Sequence, residues 1–280
     1  MKSFIAKYQV AIYFVMATLI IPFTFFTLSS PLGATKGTTS RLVLVTIIKY
    51  APTLAAFLLV ALVFGKTSVK ELLSRFFIWK IDVKWYLLVF LIPLVIDNLF
   101  PFLLLHTLNR SVTVQLNVSF ATFSSVVLLF ARFFFMGGGM GEEFGWRGYL
   151  TPYLQSKHSV LKSAVIIGLL WTAWHFPNYW MGNKSGTEIA YLHVEKIFRA
   201  VPMAIVYAWI FNNTRGSVLL VSLMHASVNT FGNLYDIQAQ EQEVVFFTTQ
   251  RIFDLFAIGF WMITSLILVF RRGALMNKLS

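Results

Sequence analysis

Residues 118–147 read VSFATFSSVVLLFARFFFMGGGMGEEFGWR. The first two thirds are apolar over about the 20 residues that a helix needs to cross a hydrocarbon core of about 30 Å. The run then breaks on Gly137, Gly138 and Gly139 and delivers Glu142, Glu143 and Arg147. Lipid solvates the first part and rejects the second, because a charge at the centre of a spanning helix costs roughly 2.5–3.5 kcal/mol on insertion scales. Such a segment is a membrane helix that hands over to a polar element enclosed by protein. It predicts an all-α, polytopic integral membrane bundle.

The rest of the chain agrees. Spans of the required length and polarity fall at 9–28, 42–65, 85–105, 118–138, 160–177, 200–213, 217–234 and 251–270, about eight transmembrane helices, the sixth short. The stretch 139–159 has helical character but is too polar for lipid and is expected inside the protein or at its interface. Of 280 residues, 58% are hydrophobic and only 12% charged, against about 25% charged in soluble domains. No stretch is left for a soluble domain, so residues 1–280 are read as a single membrane domain. Lys2 and Lys7 before the first run resemble a signal peptide, but the run is long for one, and a retained first helix is expected.

The net charge of +12 does not point to nucleic acid. The basic residues lie between the spans and read as topology signals and contacts to anionic lipids, not as a continuous patch. With the termini in the cytoplasm, that side carries Lys2, Lys7, Lys66, Lys70, Arg75, Lys80, Lys84, Lys157, Lys162, Arg215, Arg271, Arg272 and Lys278. The other side carries Lys36, Arg41, Arg110, Lys184, Lys196, Arg199 and Arg251. The excess favours cytoplasmic termini. Residues 66–84, KTSVKELLSRFFIWKIDVK, interleave charge with Leu, Phe, Ile and Trp and read as an amphipathic stretch on the cytoplasmic leaflet. The absence of cysteine excludes a thiol nucleophile and a thiolate metal site.

Polar residues inside the spans need partners or a purpose. Lys49 and Asp97 are expected to pair with each other, and Arg132 to reach the headgroups. Glu143 and Arg147, four apart on a helix, share a face and form a charge-assisted pair. Glu142 points about 100° away and addresses a different cavity. His175 closes the fifth span near Pro177, and His225 shares a face of the seventh with Asn229. His106, His158 and His193 fall in predicted loops. A lone intramembrane histidine is ordinarily a packed one. Two His, two Glu, one Arg and one Asn in three neighbouring segments instead suit hydrolysis: a carboxylate base, imidazoles to move protons and an amide for an oxyanion. The same set could offer Glu142, His175 and His225 to a divalent metal, and a structural polar network stays open.

Glu142-Glu143-x-x-x-Arg147, Trp171-x-x-x-His175 and His225-x-x-x-Asn229 resemble the three signature motifs of the CPBP family, the bacteriocin-processing and CAAX prenyl protease type II family, also called the ABI domain. The runs Glu142 to Leu150 and Trp174 to Pro177 resemble bacterial members. The resemblance covers about residues 125–235, the expected catalytic core. It implies an intramembrane endopeptidase of the bacterial plasma membrane acting on a membrane-associated peptide or protein precursor. Glu142 would activate water, His175 would position that water or move protons, and His225 and Asn229 would stabilise the oxyanion. Glu143 and Arg147 would support the site. Trp171 departs from the Phe that often opens the second motif. The family is commonly labelled metalloprotease, yet there is no His-Glu-x-x-His pair, so zinc or no metal are both open. A non-catalytic bacteriocin-immunity or scaffold protein is the alternative, and a transporter is disfavoured by the lack of inverted repeats.

Overall fold

A computed structural model describes residues 5, 7–23, 45–108, 113–116, 122–180, 184–238 and 243–271. Helix α1, Gln9–Val15, runs on into a π-helical turn at Met16–Ile20. Helix α2, Ala51–Val63, carries Pro52 in its first turn, where a missing N–H costs nothing. Gly65, at φ +85°, turns the chain into α3, Lys66–Ser74. After an extended passage, Asp82 caps α4, Val83–Leu94, by accepting from the Lys84 amide at 3.0 Å. Pro93 interrupts the hydrogen-bond ladder of α4, and a π-helical turn follows at Val95–Leu99 before α5, Phe100–Leu108.

Strand β1, Thr113–Leu116, precedes α6, Phe123–Met136, which opens on a reciprocal Thr122–Ser125 capping box and stops at Gly137. The chain restarts as α7, Gly138–Glu143, widens into a π-helical turn at Phe144–Leu150, and ends as α8, Thr151–Gln155. Then come α9, Val160–Tyr179, α10, Gly186–Asn213, and α11, Val218–Phe231. Strand β2, Tyr235–Gln238, leads to α12, Glu243–Phe270. The strands pair antiparallel, with Thr113 opposite Gln238 and Leu116 opposite Tyr235.

Each of the eight predicted spans holds helix within its described part. Among the described residues, four stretches are long and apolar enough to cross a membrane: Val83–Leu104, Phe123–Gln155, Val160–Pro177 and Arg251–Phe270. Shorter apolar helices lie at Gln9–Phe23, Ala51–Val63 and Val218–Phe231. The chain is a polytopic helical membrane protein. The sixth span is only the second half of α10, a helix of 28 residues that carries its charged first half up to the same neighbours. Helices α9 and α10 pack as a hairpin, close enough at Gly168 that a Cβ there would meet the Val201 Cα at 2.7 Å.

The predicted polar stretch is the centre of the bundle. Nearly every residue from Gly137 to Leu150 is buried, against α2 on one side and α11 on another. Carbonyls loosened by the break find side-chain donors: Tyr50 donates to Phe135 at 2.5 Å, Ser222 to Gly139 at 3.0 Å and Thr53 to Met140 at 3.0 Å. At the bundle end where α2 finishes and α11 begins, α3 and the passage after it bury Leu72 and leave Leu73, Phe77 and Trp79 exposed, as an interfacial stretch requires. Ser217 donates to the Ile78 carbonyl at 2.8 Å and Arg215 to that of Lys80, fastening this stretch beneath α11.

Three expectations are corrected. Asp97 does not pair with Lys49; it accepts from Arg199 at 2.7 Å and from Trp261 at 3.0 Å. Hydropathy had assigned Arg199 to a loop, whereas α10 carries it into the bundle beside α12. Lys49 instead sits against α7, its carbonyl 2.8 Å from where a Gly141 Cβ would be. His193 and His106 are helical, not loop, residues; the His193 ring lies 4.1 Å from that of Phe176. Arg132 is exposed on α6.

The reassignment predicts the outcome of a double-mutant cycle read by thermal unfolding of purified protein. Asp97→Ala and Arg199→Ala will show a coupling of about 1 kcal/mol or more. Asp97→Ala and Lys49→Ala will be additive, and the reverse pattern would restore the pairing expected from sequence.

Candidate active site

Consecutive helical residues project about 100° apart, so Glu142 and Glu143 face different surroundings. Glu143 is fully buried. Its Oε1 accepts from Arg147 Nη1 at 2.9 Å and its Oε2 from the same nitrogen at 3.1 Å, as the spacing predicted. Its Oε1 also accepts from His225 Nδ1 at 2.7 Å, a bond that no spacing revealed because it joins α7 to α11. With the Nδ1 proton committed to Glu143, the lone pair of Nε2 turns to the other side of the ring. The Arg147 guanidinium lies under two aromatic faces, 4.2 Å from the Tyr207 centroid and 4.7 Å from that of Trp171.

Glu142 is 2% exposed and held by one edge only. Trp171 Nε1 donates to its Oε2 at 2.7 Å. The sequence presented Trp171 as an aromatic place-holder, and an indole N–H is the one feature Phe would lack. Gly138 explains how Glu142 and His225 come together. A Cβ on Gly138 would overlap the Nε2 and Cε1 atoms of His225 and stand 2.9 Å from Glu142 Oε1. Both groups therefore rest against the same bare Cα, and only glycine gives that room.

A cavity of about 270 Å³ opens beside them. Glu142, His175, His225 and Asn229 all line it, together with Trp171, Lys49, Lys196 and Met203. His175 is one helical turn beyond Trp171 on α9, its ring 6.0 Å from that of Trp171 and 4.8 Å from that of Trp174. The four residues expected to be catalytic thus converge on one space, with Glu143 and Arg147 behind it. Lys49 and Lys196 were missed as site residues. Lys49 had been given a structural partner, and Lys196 falls in the half of α10 that hydropathy reads as loop. Of the remaining lining, Tyr179, Gly232 and Asn233 stand at the ends of α9 and α11, the last two exposed, while Glu195, Arg199 and Val228 sit within α10 and α11. The mouth is therefore at the bundle end opposite α3.

Among the described residues no three His, Asp or Glu side chains stand close enough to bind one metal ion. With Nδ1 on Glu143 and Oε2 on Trp171, His225 and Glu142 each keep one donor atom, Nε2 and Oε1, and with no third His, Asp or Glu of the described residues grouped with them the set is short of the three protein ligands of a catalytic metal site. No step is routed through one.

Residues 123–231 match the family model described as Type II CAAX prenyl endopeptidase Rce1-like. CAAX prenyl protease 2 of Methanococcus maripaludis is 33% identical over 92 residues, which cover 31% of this chain and 34% of that relative. The chain thus spans about a third of the length of the curated relative it matches. The matched segment runs from α6 to the end of α11 and contains every cavity residue named here except Lys49 and the two at the mouth, Gly232 and Asn233.

The Gly138 contact predicts a selective cost. Gly138→Ala will lower stability by about 1–3 kcal/mol through overpacking against His225. Gly186→Ala, with open space around it, will not. Equal thermal midpoints for the two purified variants would remove the steric argument.

Proposed function

We propose that this chain is an intramembrane endopeptidase, a peptide hydrolase that uses Glu142 as its base on a membrane-associated peptide or protein. The observation that carries the reading is the half-held carboxylate: Trp171 fixes Oε2 while the rest of Glu142 borders a polar cavity shared with His225, whose far nitrogen is anchored on Glu143. A group fixed in orientation yet open to the cavity is what proton abstraction from water requires.

In this mechanism Glu142 takes a proton as water oxygen bonds to the substrate carbonyl carbon. His175, on the adjacent wall, positions that water. The carbonyl oxygen becomes an oxyanion, stabilised by the Asn229 side-chain amide. His225 joins it as a donor when it enters the cycle with a proton taken from solvent on Nε2; it keeps that proton throughout, and the Glu143 carboxylate behind Nδ1 offsets the positive charge. Collapse of the tetrahedral intermediate breaks the C–N bond, and the proton held by Glu142 passes to the leaving amine. The products are a carboxylate and an amine. The names of the matched family and relative make CAAX prenyl proteins candidate substrates, beside peptide precursors such as bacteriocins.

The reading extends to the membrane. The excess of Lys and Arg supports cytoplasmic termini, with anionic lipids around α3. The Glu142 to Leu150 and Trp174 to Pro177 runs, which resemble bacterial members, support a bacterial plasma membrane. In that orientation the cavity mouth, opposite α3, opens away from the cytoplasm.

Two measurements test this. Glu142→Gln keeps an acceptor for the Trp171 indole and will retain the thermal midpoint, while the peptides released by expressing cells fall by about 100-fold or more. Unchanged release would end the catalytic assignment. Because the chain has no cysteine, single replacements report sidedness without background. Asn233→Cys will react with a membrane-impermeant maleimide in intact cells and Ser68→Cys only after permeabilisation; the opposite result inverts the topology.

A further inference from the structure

Three cations and two carboxylates line the cavity, and among the described residues two of those cations make no direct ion pair. Of its lining groups, Arg199 is committed to Asp97 at 2.7 Å, with Glu195 at 3.7 Å and Asp254 at 3.9 Å. Glu142 is held by an indole N–H and not by a cation. Lys49 and Lys196 remain, and among the described residues neither ammonium has a carboxylate within ion-pair distance. They come from different elements. Lys49 precedes α2 and lies against Gly141, the neighbour of Glu142, while Lys196 sits on α10 with Nζ 5.4 Å from the Trp171 ring centroid. Both line the same space as Glu142.

Ammonium groups held without a direct carboxylate contact in a membrane-enclosed cavity are costly and stay where something makes use of them. Each brings three donors and no acceptor, so the pair complements an oxygen anion. We infer that Lys49 and Lys196 form a carboxylate-binding subsite that selects and orients the substrate beside Glu142. The anion is either the C-terminal carboxylate of a polypeptide or an Asp or Glu side chain near the bond to be cut. This rests on the peptidase reading for its purpose but not for its measurement. The lysines are specificity-determining residues: they hold a part of the substrate that does not react.

The test is calorimetric binding to purified Glu142→Gln protein, which cannot use the proposed base and so keeps the probes intact. The probes are N-dodecanoyl-Leu-Ala as the free acid, the same compound as its amide, and N-dodecanoyl-Leu-Glu-Ala amide. The free acid will bind about tenfold or more tightly than the neutral amide, the gain expected of charge-assisted hydrogen bonds. Lys49→Met and Lys196→Met will each erase most of that preference with the amide's affinity unchanged. Lys49→Arg and Lys196→Arg will keep it, which separates lost charge from lost fold. A glutamyl probe as tight as the free acid assigns the site to acidic side chains as well; one as weak as the neutral amide assigns it to the C terminus. Equal binding of acid and amide, or a preference that survives both methionine variants, overturns the subsite. Should Glu142→Gln leave peptide release intact while the acid preference follows the lysines, hydrolysis by Glu142 falls and the subsite stands.

Discussion

A carboxylate with no access to solvent must be matched where it stands, and Glu143 is matched twice. Arg147 reaches it along its own chain segment and His225 reaches it from α11. Removing one partner from such a network leaves a buried charge uncompensated, which costs several kcal/mol. The geometry of the site follows from that demand. Arg147 has to lie under Tyr207 and Trp171, which brings α9 and α10 against the centre. Once Trp171 is there, its N–H is within reach of Glu142. One buried ion pair therefore determines where the neighbouring carboxylate is held and how much of it stays open.

The glycines before it make this possible. A Cβ at Gly138 would meet the His225 ring and one at Gly139 the Ser222 carbonyl, so the segment that approaches α11 has to be bare backbone. Breaking at Gly137 lets α7 start on a new line, and the freed carbonyls are taken up by Tyr50, Thr53 and Ser222. The polar cost of a break inside the membrane is thus met by protein, the condition under which irregular backbone survives at that depth.

Apolar runs, the glycine break and the Glu143–Arg147 pair were legible in the sequence because each is a local pattern of length or spacing. The convergence of Glu142, His175, His225 and Asn229 was legible through resemblance and is matched by a shared cavity. What could not be read was pairing between elements: Asp97 with Arg199, His225 with Glu143, Trp171 with Glu142. Hydropathy failed at α10 for a physical reason. It measures solvation by lipid, and the half of α10 that holds Glu195, Lys196 and Arg199 is solvated by a cavity and by ion pairs. Lys49 was misassigned by the same logic, since the nearest opposite charge in the pattern of spans was not the nearest in space.

The π-helical turn at Phe144–Leu150 has a consequence for how this sequence varies. Such a turn holds one residue more per hydrogen-bonded loop than an α-helix. A helix absorbs one extra residue in such a widening while the residues beyond it stay in phase, so deleting one residue there would straighten the turn and leave α8 facing the bundle as it does now. Even a deletion between Glu143 and Arg147 would shorten their spacing from four residues to three, which still shares a helix face. A one-residue gap in this stretch of a relative would therefore mark a straightened turn and not a lost site.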